Sequence, residues 1–139
     1  MTYSQWFNAH AQKHKNIVDK LVSRNYSKER IIEYFDFENM VKNEKSFCLL
    51  YEENKKCHDI KKLNCYLCAC PHFRFSDEGL REEGEMTIYS ECSIGLGSEF
   101  THQASVHHDC TSCVVPHKNA YVKKGFDLDW KKIMKECAL

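Results

Sequence analysis

The sequence predicts an α+β protein in which helices flank a loop-rich, cysteine-bearing module with short strands. Three observations predict it. Residues 3–44 contain no cysteine and repeat apolar residues at helical spacing. Residues 46–118 hold eight of the nine cysteines, with only short β-favouring runs between polar stretches. From Val122 onward the apolar residues again fall on one helical face. The expected organisation is a helical segment over 1–45, a metal-binding module over 46–121 and a C-terminal helix over 122–139, packed as one domain.

In the first segment Trp6, Phe7, His10, Ile17, Val18 and Leu21 recur at spacings of three, four and seven, which gives a helix one apolar side. Ser4 is its candidate N-cap. Arg24-Asn25-Tyr26 breaks the run, and Ser27 can cap a second helix buried through Ile31, Ile32, Phe35, Met40 and Val41. A short connector predicts an antiparallel pair. His10 and His14 lie one turn apart and are read as surface or half-buried residues.

In the module, Phe47–Tyr51 and Met86–Tyr89 are the strand candidates. Ser76–Glu85 is acidic, carries two glycines and reads as an exposed loop. In the last segment Asp127 or Asp129 can cap a helix that buries Trp130, Ile133, Met134 and Cys137.

Composition excludes several classes. The 20 basic and 20 acidic residues cancel, so nucleic acid is not the expected partner. Lys118, Tyr121, Lys123 and Lys124 form too small a patch to argue otherwise. No stretch is apolar for the roughly 18 residues that suggest a membrane span. The N-terminus has neither a basic nor an apolar leader region, so a cytoplasmic location is expected. Nine cysteines in a reducing compartment point to metal rather than disulfides.

Cys65-x2-Cys68 and Cys110-x2-Cys113 have the spacing of metal-binding turns, and two such turns make a four-sulfur cage for zinc. That pairing leaves Cys57, Cys70, Cys92 and His117 for a second ion, with His58 and His72 as further candidates. Cys70 crowds an ion shared with Cys65 and Cys68 unless the centre is larger than one atom. An iron–sulfur cluster is larger, so two zinc ions, or one cluster and another ion, both fit. Cys48 and Cys137 sit in apolar runs and read as buried residues. Gly95-Leu96-Gly97-Ser98 lacks a following lysine and reads as a turn. Four tight ligands on an ion argue for a structural role and three for chemistry, and the spacing alone does not choose.

The ordered set Asn54-x2-Cys57, Asn64-Cys65-x2-Cys68-x-Cys70-Pro71, Cys92 and Asp109-Cys110-x2-Cys113-x2-Pro116-His117 resembles the cysteine-rich small domain family, a zinc-finger-like family. Phe47 and Phe73 fit its aromatic positions, and the resemblance covers residues 46–121. It implies metal binding, and the leading reading of the chain is an accessory or interaction protein in which zinc orders a surface for a protein partner. It also extends to stand-alone bacterial and archaeal proteins and to modules fused to cobamide-biosynthesis enzymes. The alternative reading is an iron–sulfur or catalytic-metal protein of redox or cofactor metabolism, linked to cobamides by that resemblance alone. The chain departs from the family where a short Cys-x4-Cys segment is compressed around Cys57 and where Ser93-Ile94-Gly95 replaces a glycine pair.

Overall fold

A computed structural model describes residues 1–139. Five helices and two small sheets make an α+β fold. The first helix, α1, runs from Tyr3 to Ser23. Its N-cap is Thr2 rather than Ser4. The Gln5 N–H donates to Thr2 Oγ1 (3.1 Å), and the Thr2 N–H donates to Gln5 Oε1 (2.9 Å). This reciprocal box satisfies two otherwise orphaned donors, which a cap at Ser4 would not.

The buried side of α1 is Phe7, His10, Ala11, His14, Ile17, Val18 and Leu21, a stripe of the expected period. Both histidines belong to it. His14 is 0% exposed and His10 4%, contrary to the sequence expectation. The reason is aromatic packing. His10 lies between Trp6, Phe47 and Trp130, and His14 between Phe35 and Tyr66.

The expected second helix divides into α2 (Lys28–Tyr34) and α3 (Phe37–Asn43). Ser27 caps α2 as predicted, accepting from the Arg30 N–H. The break at Phe35–Asp36 has a tertiary cause. The Phe37 N–H donates to the Leu63 carbonyl (2.9 Å), and the Cys65 N–H donates to the Phe35 carbonyl (2.8 Å). The chain leaves the helix to bond the segment that carries the first cysteine pair. Glu44 then accepts from Lys20 and Tyr34, tying α1 to α2 and α3.

Phe47–Tyr51 is not a strand. Cys48 precedes a 3-10 turn over Leu49–Glu53, ended by Asn54 in a left-handed conformation (φ 51°). No neighbouring strand is available to pair there, and the turn buries Tyr51 against Phe37 and Phe47 instead. The acidic loop contains a hairpin: β2 (Arg81–Glu83) pairs with β3 (Met86–Ile88) around Gly84 at φ 63°. Met86–Ile88 is a strand as expected.

The larger sheet has the order β2-β3-β6-β5, with β5 at Ser98–His102 and β6 at Ser105–Asp109. The smaller pairs β1 (Phe73–Phe75) with β4 (Ser90–Cys92), placing Phe73 opposite Cys92. The Ser90 hydroxyl accepts the His108 N–H (2.7 Å), so the two sheets meet beside the cysteines.

The single C-terminal helix is instead two, α4 (Asn119–Gly125) and α5 (Trp130–Ile133). Of the two expected caps, Asp127 and Asp129, it is Asp129 that caps α5, accepting from the Lys131 N–H. The tail adds to β1: the Phe75 N–H donates to the Cys137 carbonyl and the Leu139 N–H to the Phe75 carbonyl, both at 2.8 Å. One apolar core runs through Phe7, Leu21, Phe35, Tyr66, Leu67, Val122 and Trp130, so helices and module share it. No helix is long and apolar enough to cross a membrane.

Candidate metal centre

Both expected turns form. The Cys68 N–H donates to the Cys65 carbonyl (3.2 Å), and the Cys113 N–H to the Cys110 carbonyl (3.0 Å). The sheets deliver the other cysteines. Cys92 ends β4 opposite Phe73, three residues after Cys70, and Cys110 follows directly on β6.

Between Cys68 and Cys70 the backbone turns sharply. Ala69 (φ 90°) and Cys70 (φ 73°) are both left-handed. Each such residue costs on the order of 1–3 kcal/mol, and such strain concentrates where function fixes the backbone. In chain order the turn leaves an upstream group, Cys48, Cys57, Cys65 and Cys68, before it and a downstream group, Cys70, Cys92, Cys110 and Cys113, from it onward. Left-handed backbone at an alanine and a cysteine is not written in residue spacing.

Both groups open onto one cavity of about 180 Å³. Among the expected ligands Cys57, Cys68, Cys70, Cys92, Cys110, Cys113 and His117 line it. Cys65 does not; it is 6% exposed. Burial pushes the Cys57 thiol up to about 11 and the Cys65 and Cys110 thiols up to about 12. Burial also raises Cys68 and Cys70. Unaided, these sulfurs keep their protons at neutral pH. A bound cation reverses that preference by stabilising the thiolates.

The tightest arrangement involves two histidines. Cys57 Sγ, His58 and His117 each offer a donor atom within 4.8 Å of the other two, the one such three-residue group in the chain. His117 Nδ1 lies 2.9 Å from the Asn64 carbonyl, and His58 Nε2 lies 2.9 Å from the Cys110 carbonyl. A carbonyl only accepts, so in the neutral rings these outer nitrogens carry the protons. Burial lowers the His117 pKa and favours its neutral ring. The inner nitrogens then present lone pairs to the same sulfur: His58 Nδ1 at 3.0 Å and His117 Nε2 at 3.6 Å from Cys57 Sγ. One S–H proton can serve only one of them. A cation satisfies all three, and carbonyl bonds on the outer nitrogens are the support that metal-binding histidines use.

His117 is held from below. Asn64 is 0% exposed; its amide donates to the Ile32 carbonyl (2.7 Å) and Asp36 Oδ1 (2.9 Å) and accepts the Tyr66 N–H (2.9 Å). The backbone carbonyl that orients His117 is thus fixed by the core. His72 lines the cavity, but its Nε2 is occupied by the Tyr121 hydroxyl at 2.5 Å. His108 also lines it, whereas His107 bonds Tyr3 through Nδ1 at 2.6 Å. His58 is the residue that the sequence placed only among the further candidates, and its adjacency to Cys57 was the available signal. Cys48 packs against the apolar core. Cys137 is buried as expected, its sulfur directed at the Cys70 carbonyl (3.6 Å).

Comparison with known proteins returns no match to a protein-family model, a curated protein or a solved structure.

Proposed function

We propose that this chain is a zinc-binding protein with two centres, one at Cys57, His58 and His117 and one at Cys70, Cys92, Cys110 and Cys113. The observation that carries this reading is the convergence of two oriented imidazole lone pairs on the Cys57 sulfur. Mixed nitrogen and sulfur donors suit zinc, and four thiolates suit a closed structural ion. The resemblance of residues 46–121 to the cysteine-rich small domain family points the same way. Ligation would fasten loops that carry little regular structure, ordering a surface for a protein partner. Ile94 and Leu96, each more than two-fifths exposed, and Phe100, more than half exposed, provide apolar area for that partner.

The test is metal analysis after anaerobic purification. Two zinc ions per chain are expected, with Cys57→Ser and Cys110→Ser each removing one. A second reading is favoured by the all-thiol downstream group, which also suits an iron–sulfur cluster. Brown protein with iron and acid-labile sulfide, lost in Cys110→Ser, would replace zinc with that cluster. A wild-type chain with no bound metal would refute both readings.

A further inference from the structure

We propose that β5 (Ser98–His102) is the edge along which two copies of this chain pair, antiparallel about a twofold axis through Phe100, joining their larger sheets into one. The inference rests on the reading of the exposed Phe100 face as a partner surface, and it names the partner. β5 lies at the end of the order β2-β3-β6-β5, and its burial pattern is exposed throughout. Phe100 is the one exposed phenylalanine of the eight in the chain. The opposite edge is guarded by charge. There β2 reads Arg81-Glu82-Glu83, and Arg81 pairs with Glu83 (3.1 Å) and Glu91 (2.8 Å). Such charges, lysines, prolines and bulges are what keep an edge from pairing with another chain. β5 has no lysine and no proline, and its register with β6 runs without a bulge.

Backbone direction sets the register. In an antiparallel pair, residues alternate between those bonded to the facing strand and those whose N–H and C=O point away from it. On β6 the Val106 carbonyl accepts the Tyr89 N–H (2.9 Å), and the His108 N–H donates to the Ser90 hydroxyl (2.7 Å). Val106 and His108 therefore direct their bonds away from β5. Their partners on β5 are Thr101 and Glu99, whose N–H and C=O face the open edge. With Phe100 on the axis, Glu99 of each copy meets Thr101 of the other, and about four inter-chain bonds satisfy those groups. A register centred on Glu99 would oppose two carboxylates, whereas here each Glu99 faces a neutral threonine. Phe100 meets its counterpart as a non-hydrogen-bonded pair, the closer kind, with Cα atoms roughly 4.5 Å apart. That contact extends an existing row. Phe100 stands opposite His107, whose ring stacks on Tyr89 with 5.3 Å between centroids and 12° between planes.

The test is sedimentation of the whole zinc-loaded chain over about a hundredfold range of concentration, with metal measured on the same samples. A dimer that dissociates on dilution is expected. Phe100→Asp places two carboxylates on the axis and should weaken the dimer at least about tenfold, with circular dichroism and zinc content unchanged. Thr101→Pro removes an N–H that makes no bond within the sheet and should weaken it as much. Amide exchange locates the contact: the Glu99 and Thr101 amides should be protected in the dimer and lose that protection on dilution, while the Phe100 amide stays protected in both states. A zinc-loaded chain that is monomeric throughout overturns the inference, leaving the edge to a strand of another protein and the metal reading standing. A dimer that survives either substitution also overturns it, because another face then joins the copies. A chain that pairs through β5 with no bound metal supports the inference and sinks the metal reading.

Discussion

Replacing His10 by phenylalanine should make the fold more tolerant of acid. His10 is 4% exposed between Trp6, Phe47 and Trp130, and its Nε2 has no partner. His14 is 0% exposed, donates through Nε2 to the Tyr66 carbonyl at 3.0 Å, and has no partner at Nδ1. Burial lowers the His10 pKa to about 4, with Lys13 adding to it, and the His14 pKa to about 3, with His10 adding to it. The folded state therefore holds both rings neutral, while the unfolded chain protonates them near pH 6.5. Stability from each is fully present above pH 6.5, falls as pH drops, and levels off below the folded values. At pH 5 linkage gives a loss of about 2 kcal/mol per histidine, so about 4 kcal/mol for the pair. That is a large share of a typical folding free energy of roughly 5–15 kcal/mol.

Phenylalanine keeps the ring stack with Trp6, whose centroid lies 4.7 Å from that of His10 at 13° between planes, and removes one titration. Denaturant unfolding of wild type and His10→Phe, each at pH 7.5 and pH 5, measures the effect. The stability lost between the two pH values should shrink by about 2 kcal/mol in the variant. Protonation of the metal-binding residues contributes equally to both chains and cancels in the comparison. An unchanged loss would refute the argument that burial of His10 sets the acid sensitivity.

Two other outcomes follow from the geometry. Asn64→Ala removes three hydrogen bonds, two of them buried, and should cost about 2–4 kcal/mol in the same assay, while weakening zinc retention because the Asn64 carbonyl orients His117. Cys137→Ser should leave the metal content untouched and cost about 1–3 kcal/mol, since a hydroxyl replaces a thiol that is 1% exposed; a lost ion would place Cys137 among the ligands.

The sequence by itself determined the α+β class, the apolar stripe of α1, the cap at Ser27, and the two Cys-x2-Cys turns. These are legible because each depends on residues within a few positions of one another, where helical period and turn geometry act directly. The tertiary structure decided what local chemistry leaves open. Bonding of Phe35 and Phe37 to the 63–65 segment broke the second helix. Aromatic neighbours from four different segments buried His10 and His14. Left-handed turns at Ala69 and Cys70 bent the chain sharply between Cys68 and Pro71. Carbonyls of Asn64 and Cys110 aimed two imidazoles at one sulfur. Spacing fixes which side chains can share a turn. Which ones share a site depends on backbone reversals and on partners about 50 residues away, 52 for His58 and 53 for His117. No local period records those.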